Sequence, residues 1–152
     1  MNDYLRYPSN WDEINANLLH VQDVLPGRIL SVNHTLQHAS VYSLPELIKY
    51  VKERDVPLHI NIVNGAPCLT LESAPPEDLK KLGEWIETQD WLLDDKYKFM
   101  YPGVYTIITA MCKTTVFDPA LYKEYREYVA LLDSIRGTNY DATFNPSSVT
   151  ID

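Results

Sequence analysis

The segment from residue 28 to residue 64 constrains the fold more than any other part of the chain, because it reads as strand, helix, strand. Two strands that are joined by a helix are expected to pair in parallel through a right-handed crossover. Side chains alternate along each strand, so that one face is apolar and the other is mainly polar. The apolar positions are Leu30, Val32 and Leu36, then Leu58, Ile60 and Ile62; the opposite positions are Ser31, Asn33, Thr35 and Gln37, then His59, Asn61 and Val63.

The polar face of these strands has two interpretations. Parallel strands that are covered on both sides usually read as continuous apolar runs, and amides are costly to bury without hydrogen-bond partners. The face therefore suits the lumen of an open barrel, where a ligand or water supplies those partners. An ordinary antiparallel sheet with one solvated face explains the same alternation, and the pattern alone does not choose between the two.

Composition excludes several classes of protein. A chain of 152 residues is expected to form one domain with a substantial core. The net charge of −8, with no cluster of Lys and Arg, argues against nucleic-acid binding. The sequence has neither the apolar run of a signal peptide nor the roughly 18 apolar residues of a membrane span. We therefore expect a cytoplasmic protein in which Cys68 and Cys112 are reduced.

Local capping signals predict helices on both sides of this segment and within it. The first is expected over residues 11–25, with Asn10 as its cap and an apolar stripe. The crossover helix should begin with a capping box at residues 43–46, and a third helix should be opened by Pro75-Pro76 and run to about residue 88. The apolar stripe of the first helix consists of Ile14, Leu18, Val21 and Leu25.

The second half of the chain is predicted to be mainly helical. Its last helix should be capped by Asp118 and closed by Gly137. Residues 68–71 read as a further short strand, and residues 102–112 read equally well as a helix or a buried strand. Phe144 is a candidate anchor for an irregular C-terminal strap over residues 138–152. The expected inward face of the last helix consists of Leu121, Tyr125, Tyr128, Leu132 and Ile135.

No residue pattern in the chain indicates catalysis or a metal site. His34 and His38 lie four apart, which on a strand separates them by roughly 13 Å. His59 reads as a core histidine with satisfied hydrogen bonds, and neither cysteine has a base beside it in the sequence. Ligands of parallel α/β folds lie beyond the carboxyl ends of the strands. The candidate binding residues are therefore the polar ones there, namely Asn33, Thr35, Gln37, Asn61 and Asn64, with His59 beside them.

Four segments in a fixed order carry a family resemblance. They are residues 4–9, residues 33–38 leading into 43–47, residues 69–71 followed by Pro75-Pro76, and residues 131–137. Together they resemble the C-terminal part of twitch-domain radical S-adenosylmethionine proteins, over nearly the whole chain. The resemblance implies an α/β fold in which residues 1–66 form part of a partial (βα) barrel, as helix-strand-helix-strand. Residues 67–152 would be a mainly helical, twitch-like extension packed on it in one compact unit.

The resemblance also implies a function, together with a cluster-binding loop that this chain lacks. Enzymes of that family hold a [4Fe–4S] cluster on a CxxxCxxC loop, and this chain contains no such loop. The chain is therefore expected to contribute lumen and substrate-side surface without generating a radical, with S-adenosylmethionine as the implied cofactor. The cluster would belong to a missing N-terminal half. The alternative is a free-standing, non-enzymatic module that binds a small molecule or a protein. Because an unpaired strand edge must be covered, we expect the missing barrel half or a second copy as partner.

Overall fold

The computed structural model describes residues 2–26 and 30–144 and shows a mostly helical molecule with one small parallel sheet. The strands are β1 (Val32–Leu36) and β2 (Leu58–Ile62). The helices are α1 (Asn2–Leu5), α2 (Trp11–Val24), α3 (Leu44–Glu53), α4 (Pro76–Glu87), α5 (Asp95–Lys98), α6 (Val104–Thr114), α7 (Pro119–Arg136) and α8 (Tyr140–Thr143). Short 3₁₀ turns occupy His38–Tyr42, Pro67–Leu69, Leu71–Ser73 and Asp90–Leu93.

The sheet confirms the parallel pairing that the sequence predicts. Val32 lies opposite Leu58 and Leu36 lies opposite Ile62, with α3 as the connection between the strands. The antiparallel alternative is therefore wrong. Two strands are found among the described residues, so the α/β strand-helix-strand unit is established, and its place in a partial barrel stays a prediction.

The apolar face of the sheet packs on α3, α4 and α6, as its alternation predicts, although Ile62 at the end of β2 is 50% exposed. Leu36 and Leu58 are fully buried in a cluster with Ile48 of α3, Ile86 of α4 and Ile108 of α6. Burying a side chain of this size stabilises the fold by about 1.5–3 kcal/mol. This cluster draws on residues from both halves of the chain, and it fixes which side of the sheet the helices cover.

The cap residues of the two best-marked helices act as predicted. The Asn10 Oδ1 atom accepts hydrogen bonds from the backbone N–H groups of Asp12 (2.9 Å) and Glu13 (3.4 Å). The Asp118 side chain caps α7 through the N–H of Ala120 at 2.8 Å. Gly137 ends α7 with a left-handed φ of 67°, a conformation that glycine adopts without the Cβ clash of other residues.

The predicted capping box at residues 43–46 is wrong. The 3₁₀ turn His38–Tyr42 runs directly into α3, so Ser43 already has a helical backbone with φ −106° and ψ −14°. A cap needs an extended backbone to aim its side chain at the first free N–H groups. The Ser43 hydroxyl instead donates to the carbonyl of Ser40 at 3.4 Å.

Two further segments settle the remaining predictions of local structure. Residues 68–71 are not a strand, because two consecutive 3₁₀ turns occupy the segment and the Thr70 hydroxyl donates to the Pro67 carbonyl at 2.7 Å. Of the two alternatives for residues 102–112, the helix is correct and forms α6. It packs so closely on α4 that a Cβ at Gly83 would lie 3.2 Å from the Cβ of Cys112.

The exposed faces of α2 and α7 differ from the predicted ones. No residue of α2 is buried, and Ile14 and Leu25 of its predicted stripe are 40% and 50% exposed. In α7, Tyr125 is buried as predicted, whereas Ile135 is 72% exposed and Val129 is buried instead of Tyr128. The period of a helix shows which side chains share a face, but the neighbouring elements decide whether that face is covered.

A second core cluster joins the two ends of the described chain. Tyr4 of α1 packs edge-on against Phe144 at 5.4 Å between ring centroids, and Phe144 is 2% exposed. This confirms Phe144 as an anchor. The predicted irregular strap is wrong at Tyr140–Thr143, which form α8, and its residues 145–152 lie outside the described residues. Among the described helices, none has the length and apolar character to cross a membrane.

Candidate functional site

The side of the sheet opposite the helices presents four exposed polar side chains. Parallel pairing places Asn33 beside His59 and Thr35 beside Asn61, and all four residues are exposed. Neighbouring strands lie about 4.8 Å apart, and alternate residues of one strand are about 6.6 Å apart. The four side chains therefore form a compact rectangular patch, which we call the open face.

The five candidate residues of the sequence prediction divide between the open face and its carboxyl edge. Asn33, Thr35 and Asn61 belong to the face itself. Gln37, which is half-buried, and Asn64, which is exposed, follow the ends of β1 and β2. The N–H of Val63 donates to the carbonyl of Leu36 at 3.1 Å and holds these two strand ends together.

His59 lies on the open face and is exposed, so its prediction as a core histidine is wrong. Alternation assigns it to the polar face correctly, but the pattern of a single strand does not show that no layer of the described chain covers that face. His59 adds an imidazole to the amides and hydroxyl of the patch. The open face therefore offers both donors and acceptors of hydrogen bonds and contains no Asp, Glu, Lys or Arg.

The sequence contains a signal for this surface that the search for motifs did not use. Residues 29–45 and 56–71 contain no Asp, Glu, Lys or Arg, although these make up 22% of the chain. Both strands lie within these two windows. Solvated protein surfaces usually mix charges of both signs, whereas the exposed residues of these two windows carry none.

One edge of the sheet is also free within the described residues. The N–H of Val32 donates to the carbonyl of Pro57 at 2.8 Å, and alternation then turns the backbone groups of Asn33 and Thr35 away from β2. Within residues 2–26 and 30–144, these two N–H groups have no backbone acceptor. The outer edge of β2 is partly covered, because the N–H of Leu58 donates to the carbonyl of Met100 at 2.9 Å.

The other two histidines near the sheet have separate, structural surroundings. The Nε2 atom of His34 is buried without a hydrogen-bond partner among the described residues. Burial, and then the nearby charge of Arg6, lower the pKa of His34 to about 4. His38 is buried and stacks on Tyr125 at 3.7 Å, with its pKa lowered to about 3 by burial and then by Arg126.

The contact between His38 and Ser73 is not a nucleophile–base pair. The His38 Nδ1 atom lies 2.8 Å from the Ser73 Oγ atom, but Ser73 is fully buried and its hydroxyl donates to the Thr70 carbonyl at 2.8 Å. With that proton committed, the imidazole must donate its own N–H to the Ser73 oxygen. A nucleophilic serine needs the opposite arrangement and access to a substrate.

The two cysteines pack in different parts of the core. Cys68 packs against the second core cluster and Cys112 against the first. Burial raises the pKa of the Cys112 thiol to about 11, so this thiol stays protonated at neutral pH. Among the described residues, no group of three or more His, Cys, Asp or Glu side chains could hold a metal ion.

Comparisons of the chain with protein-family models, with curated proteins and with solved structures found no match. The open face and the β1 edge are therefore the features of the molecule that indicate a function. Both features belong to one side of one small sheet, and both are uncharged.

Proposed function

We propose that this chain is a non-catalytic part of a larger α/β assembly, in which the open face becomes an inner surface that contacts a ligand or substrate. The observation that carries the proposal is the asymmetry of the sheet. Leu36 and Leu58 are buried under helices on one side, while Asn33 and Asn61 are exposed on the other. Parallel sheets are usually covered on both sides, so the uncovered side of this one is where further structure is expected.

The resemblance to the C-terminal part of radical S-adenosylmethionine proteins suggests what the larger assembly is. In a partial barrel of that kind, the open face would correspond to the lumen. A strand from outside the described residues would pair with the edge of β1, because an unpaired strand edge must be covered. The free N–H groups of Asn33 and Thr35, on the edge away from β2, support this arrangement.

The chemistry of the open face limits what this chain can contribute to a bound S-adenosylmethionine. Amides and a hydroxyl can bind the ribose hydroxyls or the edge of the adenine. The sulfonium, ammonium and carboxylate groups need charged or strongly polar partners, and the strand segments that form the face carry no charge. The ionic contacts and the radical-generating cluster would have to come from the rest of the assembly.

One observation favours the alternative of a free-standing binding module. The two ends of the described chain are tied together, since Arg136 Nη1 donates to the Tyr4 carbonyl at 3.0 Å and Tyr4 packs on Phe144. A chain whose ends lock into one core can fold without another polypeptide. In that case, the open face would bind a neutral, polar small molecule or a protein surface directly.

The side-chain amides of the chain provide the test. Nitrogen-15 correlation spectra resolve the NH₂ groups of asparagine and glutamine, so Asn33, Gln37, Asn61 and Asn64 report on the open face and its edge. Asn10 and Asn139 serve as internal controls, because both are occupied as helix caps. We expect titration with S-adenosylmethionine to shift the first group and not the controls.

The response of a variant completes this test. The double substitution Thr35→Ala and Asn61→Ala should weaken binding about tenfold, because it removes one or two hydrogen bonds of about 1 kcal/mol each. Shifts that are confined to residues away from the open face, or binding that the double variant leaves unchanged, would contradict the proposal. If S-adenosylmethionine gives no shifts and a neutral nucleoside or peptide does, the alternative module is supported.

A further inference from the structure

We propose that the β1 edge pairs with the β1 edge of a second copy of this chain, in antiparallel orientation and across a twofold axis at His34. The inference rests on the proposed function, since it names the partner that covers the free edge. The edge is defined by the outward backbone groups of Asn33 and Thr35, which have no backbone acceptor within the described residues.

The spacing of these backbone groups is self-complementary. Asn33 and Thr35 turn their N–H and C=O groups outward, and His34, between them, turns its own toward β2. An antiparallel pair centred on His34 places Asn33 opposite Thr35 of the second copy, and Thr35 opposite Asn33. Residues in such positions exchange two hydrogen bonds per pair, so the junction would contain four.

The charge distribution of the chain favours this edge over other surfaces. Each copy carries a net charge of −8, and like charges opposite one another on paired strands destabilise a sheet. Neither β1 nor β2 contains a charged residue. Natural edge strands are usually protected against pairing by lysine, proline or a bulge. The β1 sequence, VNHTL, has neither lysine nor proline, and its register with β2 is unbroken over five pairs.

The pairing has a consequence for the open face. It would join the two sheets into one of four strands, in the order β2-β1-β1-β2, with both open faces on the same side. The two patches of neutral side chains would then form one continuous surface, with Asn33 and Thr35 of both copies at its centre. The second copy would thereby extend the ligand-contacting surface that is proposed above.

The first test is the mass of the protein in solution. We expect a dimer in light scattering at high micromolar concentration. The substitution Thr35→Pro removes the outward N–H without removing a bond between β1 and β2, as proline can do on an edge strand. Two of the four junction bonds would be lost, so the dimer dissociation constant should rise about 25-fold, at a factor of about five per hydrogen bond.

Thr35→Val is the matched control, because it keeps the backbone N–H and should stay dimeric. Circular dichroism and urea unfolding would show that the proline variant is folded. A wild-type protein that is monomeric at these concentrations would overturn the proposal, and so would a proline variant that is folded and dimerises as tightly as the valine variant.

Disulfide trapping tests the register independently of the proline variant. In a variant in which Cys68 and Cys112 are replaced by alanine, His34→Cys should form a disulfide-linked dimer on mild oxidation, because residues on the twofold axis lie about 4.5 Å apart. Asn33→Cys alone should not, since equivalent residues would be about 9 Å apart. The double change Asn33→Cys and Thr35→Cys should form the link again.

The opposite pattern, in which the Asn33→Cys protein forms the linked dimer and the His34→Cys protein does not, would overturn the register. Failure of dimerisation is distinguishable from failure of the proposed function. A monomeric chain whose open-face amides still respond to ligand would reject the second copy and leave the functional proposal standing. A dimer whose open-face amides do not respond to any ligand would reject the functional proposal and leave the second copy standing.

Discussion

Replacing His38 by asparagine should remove a large part of the acid sensitivity of this protein's stability. His38 is 1% exposed, and its ring stacks on Tyr125 at 3.7 Å. Burial, and then the positive charge of Arg126, lower its pKa from 6.5 to about 3. The unfolded chain therefore binds a proton at this position at a pH where the native protein does not.

The sign and size of the effect follow from that difference. The native state is favoured fully above pH 6.5, and stability is lost as the pH falls from 6.5 toward 3, because protonation stabilises the unfolded chain. At pH 5 the loss from His38 is about 2 kcal/mol relative to pH 7.5. His34, with a pKa lowered to about 4 by burial and then by the charge of Arg6, adds a loss in the same direction.

The assay is urea unfolding at pH 7.5 and pH 5.0 on three proteins. Asparagine at position 38 keeps a donor toward the Ser73 oxygen and does not titrate, so the difference between the two pH values should shrink by about 2 kcal/mol. His38→Gln is a second variant in case the asparagine protein is too unstable. The matched control is His20→Asn, at an exposed position of α2, which should behave as the wild type does. The reasoning is refuted if the pH dependence of His38→Asn equals that of the wild type.

Two further predictions concern single hydrogen bonds. Tyr42→Phe should lower the free energy of unfolding by about 2 kcal/mol, because the Tyr42 hydroxyl donates at 2.8 Å to the carboxylate of Asp78, which is 7% exposed; a loss below about 0.5 kcal/mol in urea unfolding would contradict this. Asp118→Ala should cost about 1 kcal/mol, because it removes the cap of α7. Asp118→Asn is its control and should cost much less in thermal unfolding, while equal losses for both would show that the cap bond is unimportant.

Local chemistry explains which parts of the fold are predictable from the sequence. Asn10, Asp118 and Gly137 act through atoms within a few residues of themselves, so their roles can be predicted from the neighbouring sequence. The parallel sheet is predictable for a related reason, since a helix between two strands leaves few other connections. Ser43 is the instructive failure. The sequence of residues 43–46 matches a capping box, but the preceding 3₁₀ turn sets the backbone conformation of Ser43. That turn depends on packing against residues that are distant in the sequence.

Coverage of a face is the property that the sequence does not encode locally. Alternation assigns Leu36 and His59 to opposite faces of the sheet, but it does not show whether other elements of the fold cover either face. The stripe of α2 shows this most clearly, because Ile14 and Leu25 have the spacing of core residues and remain largely exposed. The polar residues of the open face share one side of the sheet, as their positions on the strands predict, whereas their exposure follows from the placement of α3, α4 and α6 on the other side.

The open face and the β1 edge both lack charged residues, and this combination says more about the surroundings of the sheet than either surface does alone. An exposed face can be neutral because few residues form it, and a free edge can be tolerated when charges protect it. Here the neutral windows extend over the whole of both strands and the turns that follow them, while the solvated surface of α4 carries ion pairs such as Lys80–Glu84. A chain that places its charges on the outer helices and none on its sheet has the distribution expected of a sheet that is covered in the working assembly. Either a second copy of the chain or another α/β unit could cover the sheet. The mass of the protein in solution distinguishes these two partners, because only the second copy doubles the mass of the purified chain.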